Sequence, residues 1–236
     1  MTSLWQLNDL QATTSLGGGT GKLALNQPEN GFDWRRSGGP SLCLFELPHL
    51  ATDGESIEAY VRNEDLVVNY GKRGMLPFDH QVYWKRSQTG EIDQLECIVA
   101  AQTASLDAHS QLSTCTRGSG CREIFHLPDH QSEGLARVES TTTLTPGVST
   151  GCLLIRFGPL SYIEMIQPSD FLSVRVEWSR EHSDFSLTRP IFDRSLEKGV
   201  IVRARACGVW ADASMDEVQM RAAYEAFLAD PLPLTV

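Results

Sequence analysis

The sequence has little positive charge, and what it has is dispersed. Pairs such as Arg35–Arg36 and Lys72–Arg73 are the longest basic runs, and 20 Lys and Arg face 30 Asp and Glu for a formal net charge of −10. Phosphate backbones are held by Lys and Arg that neutralise them, so nucleic acid is excluded as an expected partner. An anionic membrane surface is disfavoured by the same sign of charge. No apolar run approaches the roughly 18 residues of a membrane-spanning helix. The first residues, Met1-Thr2-Ser3-Leu4-Trp5-Gln6-Leu7-Asn8-Asp9, lack the basic and apolar regions of a secretory leader. A cytoplasmic protein is the expectation.

Diagnostic catalytic motifs are also lacking. There is no Gly-x-Ser-x-Gly. The stretch Gly17-Gly-Gly-Thr-Gly-Lys22 carries Leu16 and Leu23 where a phosphate-binding loop needs Gly and Ser or Thr. It reads as a flexible linker, and no cofactor is implied. Six cysteines, Cys43, Cys97, Cys115, Cys121, Cys152 and Cys207, occur in a chain too long and too leaderless for a disulfide scaffold. Cys97, Cys152 and Cys207 lie in apolar strand-like runs, where a thiol acts as a small hydrophobe.

What is present is ordinary globular composition, 41% hydrophobic and 21% charged over 236 residues, with β periodicity. Residues 1–40 read as an irregular N-terminal segment. Beyond them, apolar alternation between Gly, Pro, Asn and Asp predicts strands near 41–47, 57–62, 65–70, 81–86, 94–103, 111–117, 136–144, 151–157, 161–166, 171–179, 185–190 and 199–210. In the run ending at Trp178, Leu172, Val174, Val176 and Trp178 share a face. Val200, Val202, Ala204 and Ala206 share another. The fold expected is all-β, an antiparallel β-sandwich over 41–213. A faint echo between Ile57-Glu-Ala-Tyr60 and Ile163-Glu-Met-Ile166 raises the alternative of a duplicated, large sandwich with related halves near 41–117 and 136–213. One C-terminal helix, 214–229, is predicted from a Ser214/Glu217 capping box, helical spacing of Met215, Val218, Ala222 and Phe227, and a stop at Asp230-Pro231. It is expected to pack on the sandwich. The stretch Thr116–Gly134 reads as a long irregular loop.

Candidate chemistry is scattered. Cys115, Cys121, His126 and His130 hold two thiols and two imidazoles within sixteen residues, a donor set that suits zinc. Their spacing matches no standard finger, and Pro128 breaks any helix that would align the histidines; an incidental loop is favoured and no metal is expected. Asp79-His80 leads into an aromatic strand, but sequence neighbours on a strand face opposite ways. His80 is the one candidate catalytic residue, with Glu96 or Glu177 as an acid partner.

Aromatics and arginines point to binding. Trp84 can stack on a sugar ring, and Arg203 and Arg205, with Arg175 and Glu177 on a neighbouring strand, can form a polar cleft floor. The functional expectation is a module binding a small polar or carbohydrate-like ligand. The alternatives are a sugar-active enzyme of epimerase or lyase type using a His/carboxylate pair, and a ligand-free structural or assembly protein.

Overall fold

The computed structural model describes residues 4–48, 50, 57–71, 78–89, 92–129, 134–179 and 181–231. Eighteen strands and one α-helix form there. In chain order they begin with β1 (Gln6–Asn8), β2 (Gln11–Leu16), β3 (Gly19–Ala24), β4 (Phe32–Arg35), β5 (Ser41–Glu46), β6 (Ile57–Arg62) and β7 (Asp65–Tyr70). Three long strands follow: β8 (Phe78–Thr89), β9 (Ile92–Thr103) and β10 (Asp107–Gly118). Next come β11 (Glu123–Pro128), β12 (Ala136–Arg137), β13 (Thr142–Leu144), β14 (Ser149–Arg156) and β15 (Leu160–Ile166). The chain closes with β16 (Val174–Ser179), β17 (Asp184–Glu197), β18 (Ile201–Asp212) and α1 (Glu217–Ala229).

The strands make two nine-stranded antiparallel sheets, the sandwich expected. The first runs β1-β2-β3-β4-β5-β10-β17-β16-β13, and the second β12-β11-β14-β15-β18-β9-β8-β7-β6. Period-two patterning explains why they stack. On β10, Ala108, Ser110, Leu112, Thr114 and Thr116 are buried, and the intervening residues are not. On β18, Val202, Ala204, Ala206 and Trp210 enter the inter-sheet core, while Cys207 and Val209 point out of the sandwich. Those outward apolar residues need a cover, and α1 supplies it. Met220, Tyr224 and Phe227 bury against Cys152, Leu154, Ile163 and Met165, spaced as one helical stripe. Among the described residues no helix is long and apolar enough to cross a membrane.

Four expectations are corrected. The described part of 1–40 is not irregular, because β1–β4 take up most of Gln6–Arg35. The supposed linker is a hairpin: Leu16 pairs with Gly19 across Gly17 and Gly18, whose φ of 59° and 68° suit a two-residue turn that only glycine enters freely. Ala12, Leu16 and Leu23 are its buried apolar set, thinly spread among Thr, Ser, Gly and Lys. Thr116–Gly134 is not a continuous loop either, since it contains β11. The helix begins later than expected. Asp216, not Ser214, is the cap: its carboxylate accepts from the Gln219 N–H at 2.8 Å, and the Gln219 side chain accepts from the Asp216 N–H at 3.0 Å. Ser214 instead bonds Asp212, and Val218 is exposed. The buried stripe is Met220, Tyr224 and Phe227, which keeps only Phe227 of the expected set within the helix.

Candidate functional site

The two sheets and the helix enclose a cleft of about 990 Å³ against the outer face of the second sheet. Its floor carries Lys85 and Ser87 of β8, Gln94 and Glu96 of β9, and Arg205 of β18. One wall is α1, through Gln219, Ala223 and Phe227. The Gly17–Gly18 turn and Arg36 of the first sheet reach over to the mouth, opposite Pro159 and Leu160. The turn is fastened there by a hydrogen bond from the Gly17 N–H to Asp93 Oδ2, 2.7 Å.

Strand register builds the floor. Lys85 pairs directly with Glu96, and Cys207 pairs with Glu96 on the other side, so Arg205 lies diagonally beside the carboxylate. Arg205 Nε donates to Glu96 Oε2 at 2.7 Å, and its Nη2 to Asp230 Oδ2 at 2.9 Å. Nη1 donates to the Phe227 and Asp230 carbonyls at 3.2 and 2.7 Å, closing the C-terminal end of α1. Lys85 Nζ bonds Asp230 Oδ2 at 2.9 Å and stands 3.4 Å from Glu96 Oε1. Burial alone would raise the Asp230 carboxyl, but the Lys85 hydrogen bond and the charges of Lys85 and Arg205 hold it below the usual range. Burial would lower the Lys85 ammonium; Asp230 and Glu96 reverse that and raise it. Two cations and two carboxylates therefore neutralise one another at the base of a cleft whose helical wall is apolar apart from Gln219.

Of the residues singled out from sequence, Glu96 and Arg205 are brought together in this cleft. The others are not. Trp84 points between the sheets, 3% exposed, with Phe32 and Phe45 centroids 6.5 and 6.4 Å away; no ligand can stack on it. Arg203 shares the outer face of the second sheet but lies outside the cleft lining. Arg175 and Glu177 sit on β16 of the first sheet, on the opposite side of the molecule. They bond each other at 2.8 Å and are largely exposed, an ion pair that contributes little to stability. The expected four-residue floor does not exist, because β16 and β18 belong to different sheets.

His80 does not meet Glu96 either. It faces inward on β8 opposite Ala101, well along the strand from Lys85 and on the other side of the sheet. Burial pushes its pKa down to about 4, against a smaller raising by Asp79. The imidazole is neutral at pH 7, and the folded form resists protonation. Stability from this group is thus complete above the unfolded pKa near 6.5 and is lost as pH falls toward 4. Between pH 7 and pH 4.5 the wild type is expected to lose about 2 kcal/mol more than His80→Leu, read from urea unfolding at both values. Equal losses in the two proteins would refute it.

The thiol–imidazole set is likewise dispersed. Cys115 lies on the outer face of the first sheet, where Thr188 donates to its sulfur at 3.7 Å. Cys121 is inside the inter-sheet core, His126 is in β11, and His130 lies outside the described residues. Among the described residues no three His, Cys, Asp or Glu side chains are placed to hold a metal. Lys85, Gln94 and Asp230 are the site residues that sequence reasoning passed over. Asp230 was visible only as a helix stop.

No protein-family model and no curated protein sequence matches the chain. Solved structures do resemble it. A Klebsiella pneumoniae protein put forward as an aldose 1-epimerase superposes with a TM-score of 0.50 and 9% identity, covering 93% of this chain and 83% of that one. An α-N-acetylgalactosaminidase of Bifidobacterium bifidum gives 0.51 and 10%, over 95% of this chain and 38% of its own. The galactosidase domain of an α-galactosidase–sucrose kinase gives 0.51 and 7%, over 88% and 41%. The chain thus spans about two fifths of the last two structures. At such identities the likeness is one of fold: all share this large antiparallel sandwich.

Proposed function

We propose that the protein binds a small, hydroxyl-rich, carbohydrate-like ligand in the cleft between β8, β9, β18 and α1. The observation that carries this is the cleft itself, about 990 Å³ with a charge-balanced polar floor and an apolar helical wall. Pockets of that size and make-up, with a few convergent polar groups, are the usual form of small-molecule sites. Lys85 donates, Asp230 accepts, and Gln94 and Ser87, hydrogen-bonded to each other, offer both roles; hydroxyl groups need such mixed partners. The Ala222, Ala223 and Ala226 methyl groups of α1 beside them suit the apolar face of a sugar. Likeness of fold to sugar-acting proteins supports the same reading as an analogy.

The test is a thermal-shift screen against mono- and oligosaccharides, repeated on Ala223→Trp, which fills the cleft from the helix side and leaves the ion network intact. Ligand at a hundred times its dissociation constant stabilises by about 2.7 kcal/mol. The wild-type midpoint is expected to rise with one sugar class, and the rise to vanish in the variant. If no sugar moves the midpoint, or if Ala223→Trp responds as the wild type does, the cleft is not the binding site.

A further inference from the structure

Four strands end the two sheets, and three of them are blunt. β1 and β13 have three residues each and β12 has two, too short to template another strand. β6 is different. It has six residues, all paired to β7 on one side, and it ends the second sheet, so among the described residues no strand pairs with its other side. It has no Pro, no Lys and no bulge in its register, and its two charges, Glu58 and Arg62, are of opposite sign.

The β6–β7 hairpin fixes which backbone groups are free. Arg62 pairs with Asp65 across the two-residue turn, so Glu58, Tyr60 and Arg62 direct their N–H and C=O groups to β7. Ile57, Ala59 and Val61 turn theirs outward. The side chains divide the same way. Ile57, Ala59 and Val61 pack on the inter-sheet core, whereas Glu58, Tyr60 and Arg62 stand exposed on the outer face.

We infer that a second copy of this chain pairs with β6 as an antiparallel strand, joining two second sheets across a two-fold axis at Tyr60. Free backbone groups must meet free backbone groups, which restricts the register to steps of two. With Tyr60 on the axis, each Ala59 faces a Val61 and forms about four ladder hydrogen bonds in all. Each Glu58 then faces an Arg62, twice by symmetry. A step one way sets Glu58 against Tyr60 and loses both ion pairs. A step the other way sets Glu58 against Glu64, like charge on like. The sequence of the edge therefore selects one register. A contact this short is smaller than a standard interface, so the association is micromolar and concentration-dependent.

Sedimentation velocity of the full chain from about 1 to about 200 µM tests it. The mass is expected to move from one chain toward two over that range. Glu58→Arg and Arg62→Glu each place two like-charged pairs across the axis and are expected to weaken the dimer at least about tenfold. The doubly swapped chain, E58R with R62E, restores the complementarity and is expected to dimerise within about threefold of wild type. Ala59→Pro removes an outward N–H and is expected to leave monomer; the charge variants, changed only at exposed side chains, decide the matter if that protein does not fold. A wild type that stays monomeric throughout, or a dimer indifferent to both reversals, overturns the inference.

Discussion

Arg205→Met is expected to lower the free energy of unfolding by about 3–5 kcal/mol. The methionine keeps most of the stem packing, so the loss reports the guanidinium. That group is 2% exposed and serves two carboxylates and two helix-end carbonyls at once, with its carbon 4.4 Å above the Phe227 ring. Without it, Glu96 is left at 1% exposure with Lys85 at 3.4 Å as its remaining cation. The Phe227 and Asp230 carbonyls lose their donor. An uncompensated buried charge is what makes removing one partner so costly. Amide hydrogen exchange is expected to quicken first in the last turn of α1, and sugar binding to weaken with it, because that turn is a wall of the cleft. Removing both charges, as Arg205→Met with Glu96→Leu, is expected to recover much of the stability and none of the binding. A single variant within about 1 kcal/mol of wild type would show that the network does not hold the helix.

Arg189→Met tests a second buried pair, this one between the sheets. Arg189 of β17 and Glu164 of β15 are 0% and 1% exposed and meet at 3.0 Å. Tyr162 donates to the other Glu164 oxygen at 3.0 Å, and Arg189 Nη1 donates to the Gly151 carbonyl at 2.8 Å. One strand of each sheet is thereby tied through the middle of the inter-sheet core. The single substitution is expected to cost about 3–5 kcal/mol by urea unfolding, and Arg189→Met with Glu164→Leu to be far closer to wild type. Because neither Arg189 nor Glu164 lines the cleft, the sugar-induced midpoint shift is expected to survive in whatever protein folds. A double variant no more stable than the single one would mean that the pair contributes more than its charges cancel.

Strand boundaries were legible where turns are short and both flanks alternate. Ile57–Arg62 and Asp65–Tyr70 are found as read, separated by Asn63 and Glu64, with Asn63 at a φ of 57°. The first four strands were not legible, since their inward positions are few and their outward ones resemble linker. The site was half legible for a different reason. Glu96 and Arg205 stood out individually, but they are 109 positions apart, and only strand order makes them neighbours. The Thr89↔Ile92 pairing sets Lys85 opposite Glu96, so correct counting from that hairpin's turn would have found the lysine. Trp84 misled because alternation identifies two faces without saying which one is dry. Tyr83 and Trp84 are both 3% exposed, so burial on that strand gives no contrast to read.

The Gly17 turn carries a consequence for how the molecule is made. A Cβ at Gly17 would fall 2.5 Å from Trp210 Cγ, and its N–H is held by Asp93. The turn is made early in synthesis, yet the β18 part of its resting place, which carries Trp210, is translated nearly a whole chain later. At ordinary ribosomal speeds that wait is roughly 10–40 s. Pairings this distant in sequence also slow the final search once every strand is present. During that interval the apolar faces of the first strands have no partner sheet, and a chaperone able to shield them would set the yield of folded protein more than any single contact in the finished sandwich.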